Sequence, residues 1–309
     1  MCLIALAIDQ SRRFPLVVAA NRDEFFNRPA ARLAWWTPDA GGPAILGGRD
    51  LEAGGTWLGL NAQGRLAMLT NVRDPSRIDP EAPSRGQIVP QWLSGTEPTD
   101  RFWMRTAMSG YNGFNLIAAD FKRGECFWAS SHSAHPVRLD RGTYGVSNAS
   151  LDTPWPKTRT LKQRLRLALD EADSLEALAG HLFSALGDRQ TAADADLPAT
   201  GVPIELERAL SAAFIRTPER QYGTRCSTLM ISQRVGRSLV THVMERSYAA
   251  SGAVALLRQA TVEHWPPRYS DKGFSPPVER AAVSDGARTR VRSLLKPASP
   301  HRSTRHAAP

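Results

Sequence analysis

The chain has 309 residues, a formal net charge of +9 and 42% hydrophobic residues, enough for one large domain or two small ones with a sizeable core. It contains no run of eighteen apolar residues, which excludes a simple membrane-spanning helix. Its three cysteines, Cys2, Cys126 and Cys226, are far apart and odd in number, which argues against a disulfide framework and a metal cluster and points to a reducing cytosol.

The opening stretch "CLIALAI" is short, lacks preceding basic residues and runs into Asp9, so it reads as a strand rather than a signal peptide. Residues 2–8 and 15–20 form two expected strands around a polar turn. The second is unusual because an apolar run ends directly in Asn21-Arg22-Asp23-Glu24. Short strands are expected at 44–48 and 56–60, and the turn 61–64 should feed a further strand at 65–71. "SRGQIVPQWLSG" and "DRFWMRTAM" read as short helices, residues 114–121 and 126–130 as a hairpin, and 143–148 as a strand ending in Ser147-Asn148. Residues 157–172 place Leu161, Leu165, Ala168 and Ala172 on one helical face, and further helices are expected at 174–186 and 203–215. Strands at 224–232 and 238–247 follow. "ALLRQA", residues 255–260, reads as a short helix, and residues 251–267 as a short helix or connector between a domain of residues 1–250 and the tail.

Strand pairs separated by blocks of helices predict an α+β fold with segregated layers. The absence of βαβ alternation and of a Gly-x-Gly-x-x-Gly motif excludes a dinucleotide-binding fold. Residues 268–309 hold nine basic and three acidic side chains among Pro, Ser and Ala. Most of the net charge is therefore terminal, and this tail reads as disordered. Its only aromatics are Tyr269 and Phe274, so a solvated extension is favoured over a specific nucleic-acid or membrane-surface arm.

Cys2 is the first candidate for chemistry. Removal of Met1 by a methionine aminopeptidase would leave Cys2 with a thiol and a free α-amine, whose ordinary pKa of about 7.7–8.0 suits a general base. Cysteine in this position also serves as a small buried apolar residue. The second candidate is a set of polar residues at strand ends: Arg22 and Asp23, Thr70 and Asn71, Ser147 and Asn148, Thr224 and Arg225. An N-terminal nucleophile needs such groups: a carboxylate to orient the amine, amides to donate to an oxyanion, and an arginine near thiolate or substrate. Asn and Asp also collect wherever strands stop. The glycine-aromatic stretches "GGTWLG", "YNGFN", "YGVSN" and "YGTR" suit either turns or close backbone approach to a ligand. His132, His135 and His242 have no metal-ligand spacing, so no metal site is expected.

The ordered blocks "MCLIALAID", "VVAANRDEFFNRP", "GGTWLG", "LAMLTNVRDP", "YNGFNLIAAD", "YGVSNASLDTPWPKT", "YGTRCSTLMI" and "ERSY" resemble the NRDE family from Met1 to about Tyr248. That family in turn resembles the N-terminal nucleophile (Ntn) hydrolases. The resemblance implies a four-layer αββα sandwich and hydrolysis of a linear amide by Cys2. By motif it assigns Asp23 to the α-amine, Asn71 and Asn148 to the oxyanion, and Arg225 to the thiol, with Asn21, Arg22 and Trp57 as substrate or ligand contacts. Ala20 stands where those hydrolases carry an arginine, and Leu3 where they carry a polar residue. Arg22 is expected to replace that arginine only if the strand has ended before it. The resemblance also implies an alternative: a non-catalytic carrier holding haem, an acyl-CoA or another lipid against Trp35, Trp36, Trp57 and Trp155. No cofactor is expected beyond haem as a transported ligand. The expected partner is a small amide or an amphipathic ligand, and no oligomeric state is implied.

Overall fold

The computed structural model describes residues 2–267; the expectations for Met1 and the tail at 268–309 lie outside them. Two antiparallel sheets form the centre. In the first sheet, β10 (Gly142–Val146) pairs with β1 (Cys2–Ile8), followed by β2 (Leu16–Phe25), β12 (Tyr222–Val235), β13 (Ser238–Tyr248) and β14 (Val254–Glu263), while short β11 (Arg216–Thr217) attaches to β12. The second sheet runs β3 (Ala30–Trp36), β4 (Ile45–Asp50), β5 (Leu58–Asn61), β6 (Arg65–Asn71), β7 (Phe114–Asp120), β8 (Glu125–Ser130) and β9 (Val137–Arg138).

The two-residue side-chain period of the strands separates three cores. Ile4 and Leu6 of β1 and Leu16, Val18 and Ala20 of β2 face Leu60, Leu66, Met68 and Ile117 between the sheets. The alternate residues Leu3, Ala5, Ala7, Val17 and Ala19 pack beneath α3 (Pro156–Glu171) and α4 (Leu175–Leu186). On the far side, Ala67, Leu69 and Leu116 pack under α1 (Ile88–Ser94) and α2 (Thr99–Ala107). Helices, sheet, sheet, helices: the fold is a four-layer αββα sandwich. Because β1 and β2 are covered on both faces, they read as unbroken apolar runs. Among the described residues no helix is long and apolar enough to cross a membrane.

Several elements differ from the sequence expectation. Residues 255–260 lie in β14, not in a helix, because the edge of β13 offers a ladder from Tyr248–Val254 to Val240–Glu263, and Ala260 and Val262 of β14 join the inter-sheet core. The helix expected at 203–215 is the short α5 (Ile204–Ala209). Beyond it the apolar stretch 210–215 is buried as irregular chain, with the Phe214 amide donating to the Asp188 carbonyl. Strand β3 was not anticipated; its Leu33 caps the inter-sheet core.

Candidate active site

β1 delivers Cys2 to the mouth of the inter-sheet layer, on the same face as Ile4 and Leu6. Its register partner on β2 is Arg22, so the two side chains share that face. β2 does not end before Arg22 but continues to Phe25. The condition set by the sequence is therefore overturned. The strand period itself puts Arg22 on the face of Ala20, two residues nearer the mouth, while Ala20 fills core space.

The Arg22 side chain is only 5% exposed. Its Nη2 donates to Asp50 Oδ2 at 2.9 Å, and the guanidinium lies 4.4 Å from the Trp57 ring centroid. Arg28 Nε donates to the same carboxylate oxygen at 2.7 Å, and the backbone amides of Glu52 and Ala53 donate to the other. Burial pushes the Asp50 carboxyl up, but the Arg28 hydrogen bond, the Ala53 amide and the two guanidinium charges bring it below the ordinary range. Trp57 occupies its place because Gly48 has no side chain: a Cβ there would stand 2.3 Å from the indole. A Cβ on Gly55 would stand 2.1 Å from the Gly86 carbonyl oxygen, so "GGTWLG" serves close approach as well as turning.

Asp23 and Asn21 point the other way along β2, toward the helices. Asp23 Oδ1 accepts from Thr224 Oγ1 at 2.7 Å. Burial raises the Asp23 carboxyl, and the Lys157 charge pulls it back. Lys157, in the first turn of α3, is 4% exposed and donates from Nζ to the Leu210 carbonyl at 2.8 Å. Burial brings its ammonium down to about 8, with Asp23 the main opposing influence. Asn21 stands apart from the cleft. Its Nδ2 donates to the carbonyls of Leu186 and Ala213, at 2.9 and 2.8 Å, and its Oδ1 accepts from Ser227 Oγ, so it ties the end of α4 to the sheet.

Asn71, at the end of β6, and Asn148, just beyond β10, are brought together: Asn148 Nδ2 donates to the Asn71 carbonyl at 2.9 Å. Ser147 Oγ lies 3.0 Å from the Cys2 carbonyl and 3.1 Å from Asn148 Oδ1, joining this pair to the first residue of β1. Arg225 is the extra residue of a β-bulge between Thr224 and Cys226. Its Nη1 donates to the carbonyls of Phe25, Phe26 and Arg28, at 2.6, 2.9 and 3.2 Å. It thus secures the turn after β2, whereas Arg22, unlike Arg225, lines the cavity with Cys2.

That cavity has a volume of about 660 Å³ and is lined by Cys2, Arg22, Asp23, Trp57, Asn71, Arg85 and Tyr222 among others, with residues 80–86 along one side. Burial raises the Cys2 thiol; the Asp23 charge adds to this and Arg22 opposes it. Trp35, Trp36 and Trp155 do not line this cavity: Trp35 packs on the inter-sheet core, Trp36 lies beneath Arg49 and Trp155 beneath Arg73.

The sequence reading missed Lys157, Thr224 as the partner of Asp23, Asp50 with Arg28, and Arg85. Lys157 carried one legible signal. A cation in the first turn opposes the helix dipole, so a lysine directly after Pro156 needs an acidic partner elsewhere. Asp50 and Arg85 lie in loop-flanked positions whose proximity only the fold creates.

A profile of the family described as "Transport and Golgi organisation 2" matches residues 1–250. The transport and Golgi organization protein 2 homolog of Bos taurus is 36% identical over 81% of this chain and 94% of its own length. The Homo sapiens homolog is 34% identical over 78% and 92%. Among solved structures, a mutant conjugated bile acid hydrolase from Clostridium perfringens aligns over 77% of this chain and 90% of its own, at 10% identity and a TM-score of 0.41. With an NRDE stretch in β2, a continuous match over 250 residues and relatives above 30% identity across most of its length, the chain belongs to the transport and Golgi organisation 2 family.

Proposed function

We propose that the chain is a cysteine amidohydrolase of the N-terminal nucleophile type, with Cys2 as nucleophile once Met1 has been removed. The observation that carries this reading is the position of Cys2: first residue of a central strand, lining the cleft, with Asn148 joined to it through Ser147. The α-amine of Cys2 takes the thiol proton, and sulfur attacks the amide carbonyl carbon. Asn71 and Asn148 donate to the oxyanion. The amine then passes the proton to the leaving nitrogen as the C–N bond breaks, leaving an acyl thioester. Water, deprotonated by the same amine, releases the acid and restores the thiol. Asp23 holds the ammonium form, and Arg22, stacked on Trp57, sets the field at the sulfur. Because burial disfavours the thiolate, a base on the same residue is what this chemistry requires.

The test is intact mass followed by turnover of an N-acyl amide panel. Mature protein should lack Met1, and Cys2→Ala should abolish turnover without changing the melting temperature. Retained Met1 or unchanged turnover in the variant refutes the reading.

A second reading is favoured by Arg22 and Arg85 lining the cavity together with Trp57: a carrier for an amphipathic anion such as haem or an acyl-CoA. Here Cys2→Ala leaves affinity unchanged and Arg22→Ala weakens it at least about tenfold. Blank haem absorbance titrations and blank acyl-CoA calorimetry at micromolar protein remove it.

A further inference from the structure

The arginines around the Cys2 cleft differ in what they hold. Arg22 and Arg28 donate to Asp50, Arg225 donates to three backbone carbonyls, and Arg73 is engaged by Glu207. Arg85 forms no ion pair among the described residues. Its Nη1 donates to the Gly113 carbonyl at 2.9 Å, while Nε and Nη2 make no hydrogen bond there. The residue is half-buried, and these two nitrogens are not sealed from solvent, unlike Nη1 of Arg22 and the unpaired nitrogens of Arg73. Nε and Nη2 form the side edge of the guanidinium fork, whose spacing matches the two oxygens of a carboxylate.

The backbone holds this edge in place. Ser84 Oγ accepts from the Gly86 amide at 3.3 Å, and the Gly86 carbonyl accepts from the Thr56 amide at 2.9 Å. Arg85 is therefore anchored to the loop that carries Trp57, and its bond to Gly113 fixes the far end of the side chain.

Arg85 lines the cleft together with Cys2, Trp57 and Asn71. Burial lowers its guanidinium, and the charges that oppose this are the Cys2 thiolate and Glu24, so the group lies within electrostatic reach of the sulfur. The acidic groups of the cleft already have partners. Asp50 and Glu52 pair with Arg28, Asp23 accepts from Thr224, and Glu24 accepts from the Phe25 amide with its other oxygen 3.7 Å from Arg22. The other polar side chains that line the cleft with Arg85, those of Asn71, Ser84 and Asn112, are neutral.

We infer that Arg85 is the specificity-determining contact of the Cys2 cleft: through Nε and Nη2 it receives a carboxylate of the ligand, so the cleft takes molecules that bear one. The inference rests on this cleft being the binding site and holds under either reading above. In the hydrolytic reading the substrate is a carboxylate-bearing amide; in the carrier reading the carboxylate belongs to the carried molecule.

The test is alkylation of Cys2 in the full chain by iodoacetate and by iodoacetamide, which have nearly equal size and differ in a carboxylate against an amide. In both reactions sulfur displaces iodide, so the readout needs neither Met1 removal nor turnover. Peptide mass gives the rate at each thiol, and Cys126 and Cys226, both buried with raised thiols, are internal controls. Arg85→Gln, which keeps a donor for the Gly113 carbonyl, should lower the iodoacetate-to-iodoacetamide rate ratio at Cys2 by about fivefold or more, and Arg85→Lys should recover part of it. Should Arg85→Gln fail to fold, NMR of the unaltered chain decides: the Arg85 Nε–H resonance should shift with acetate and stay fixed with acetamide. An unchanged ratio in Arg85→Gln, or an Nε–H resonance that does not respond to acetate, overturns the inference and leaves hydrolysis by Cys2 standing. Absent turnover of N-acyl amides removes the hydrolytic reading and leaves a lowered ratio as support for Arg85.

Discussion

Replacing Lys157 by methionine should stabilise the protein at neutral pH, although it deletes a buried hydrogen bond. The ordinary ammonium value of 10.5 falls to about 8 in the folded chain, chiefly through burial. At about 1.4 kcal/mol per pH unit, holding this group charged costs the fold about 3 kcal/mol at pH 7. Methionine removes that cost and forfeits the charged hydrogen bond to the Leu210 carbonyl, worth about 2 kcal/mol, leaving a net gain of about 1 kcal/mol. The pH dependence is the sharper signature. Between pH 8 and 10.5 the unfolded chain holds the Lys157 proton and the folded chain does not, so the parent's stability rises with pH across this window relative to the variant. The raised groups Cys126, Tyr222 and Cys226 also titrate on the alkaline side, but both proteins carry them and their effect cancels in the difference. Urea unfolding at pH 7, 8, 9 and 10 reads this directly. The advantage of Lys157→Met should be fully present at pH 7 and shrink toward pH 10. A difference that stays constant, or a variant already destabilised by several kcal/mol at pH 7, refutes the claim that burial dominates at this lysine.

Asp50→Asn strips Arg22 and Arg28 of their shared carboxylate and should cost about 3 kcal/mol at pH 7. Because the folded carboxyl is held low, the parent's advantage should be complete above its ordinary value of 3.8 and disappear as pH falls below it, as followed by denaturant midpoints. Gly55→Ala drives a methyl into the Gly86 carbonyl and should cost about 2 kcal/mol or more in the same assay. Trp265→Ala should cost about 3–5 kcal/mol, because the ring is 1% exposed and its Nε1 donates to the Asn61 carbonyl; truncation after residue 250, which removes β14 as well, should prevent folding. Deletion of residues 268–309 should leave the melting temperature unchanged, and both forms should elute together from heparin at physiological salt.

Apolar runs, turn residues and helical periodicity are local properties, and they were sufficient to place most strands, α3, α4 and the layered architecture in the sequence. The NRDE stretch stood out because four polar residues ended an apolar strand. What each of those residues does was not local. A strand alternates faces, so Arg22 reaches the Cys2 cleft while Asn21 and Asp23 face the helices, and only the pairing of β2 with β1 and β12 fixes which face is which. The bulge that turns Arg225 toward the carbonyls of residues 25–28 is set by the register between β12 and β2. "ALLRQA" became a strand because an unpaired edge of β13 was available, an option invisible in six residues of ambiguous pattern. Lys157 beside Asp23, Asp50 beneath Arg22 and Arg73 against Glu207 join segments 134, 28 and 134 positions apart. Sequence supplied the charged groups, but the buried pairing among them comes into being only when the two sheets close on one another.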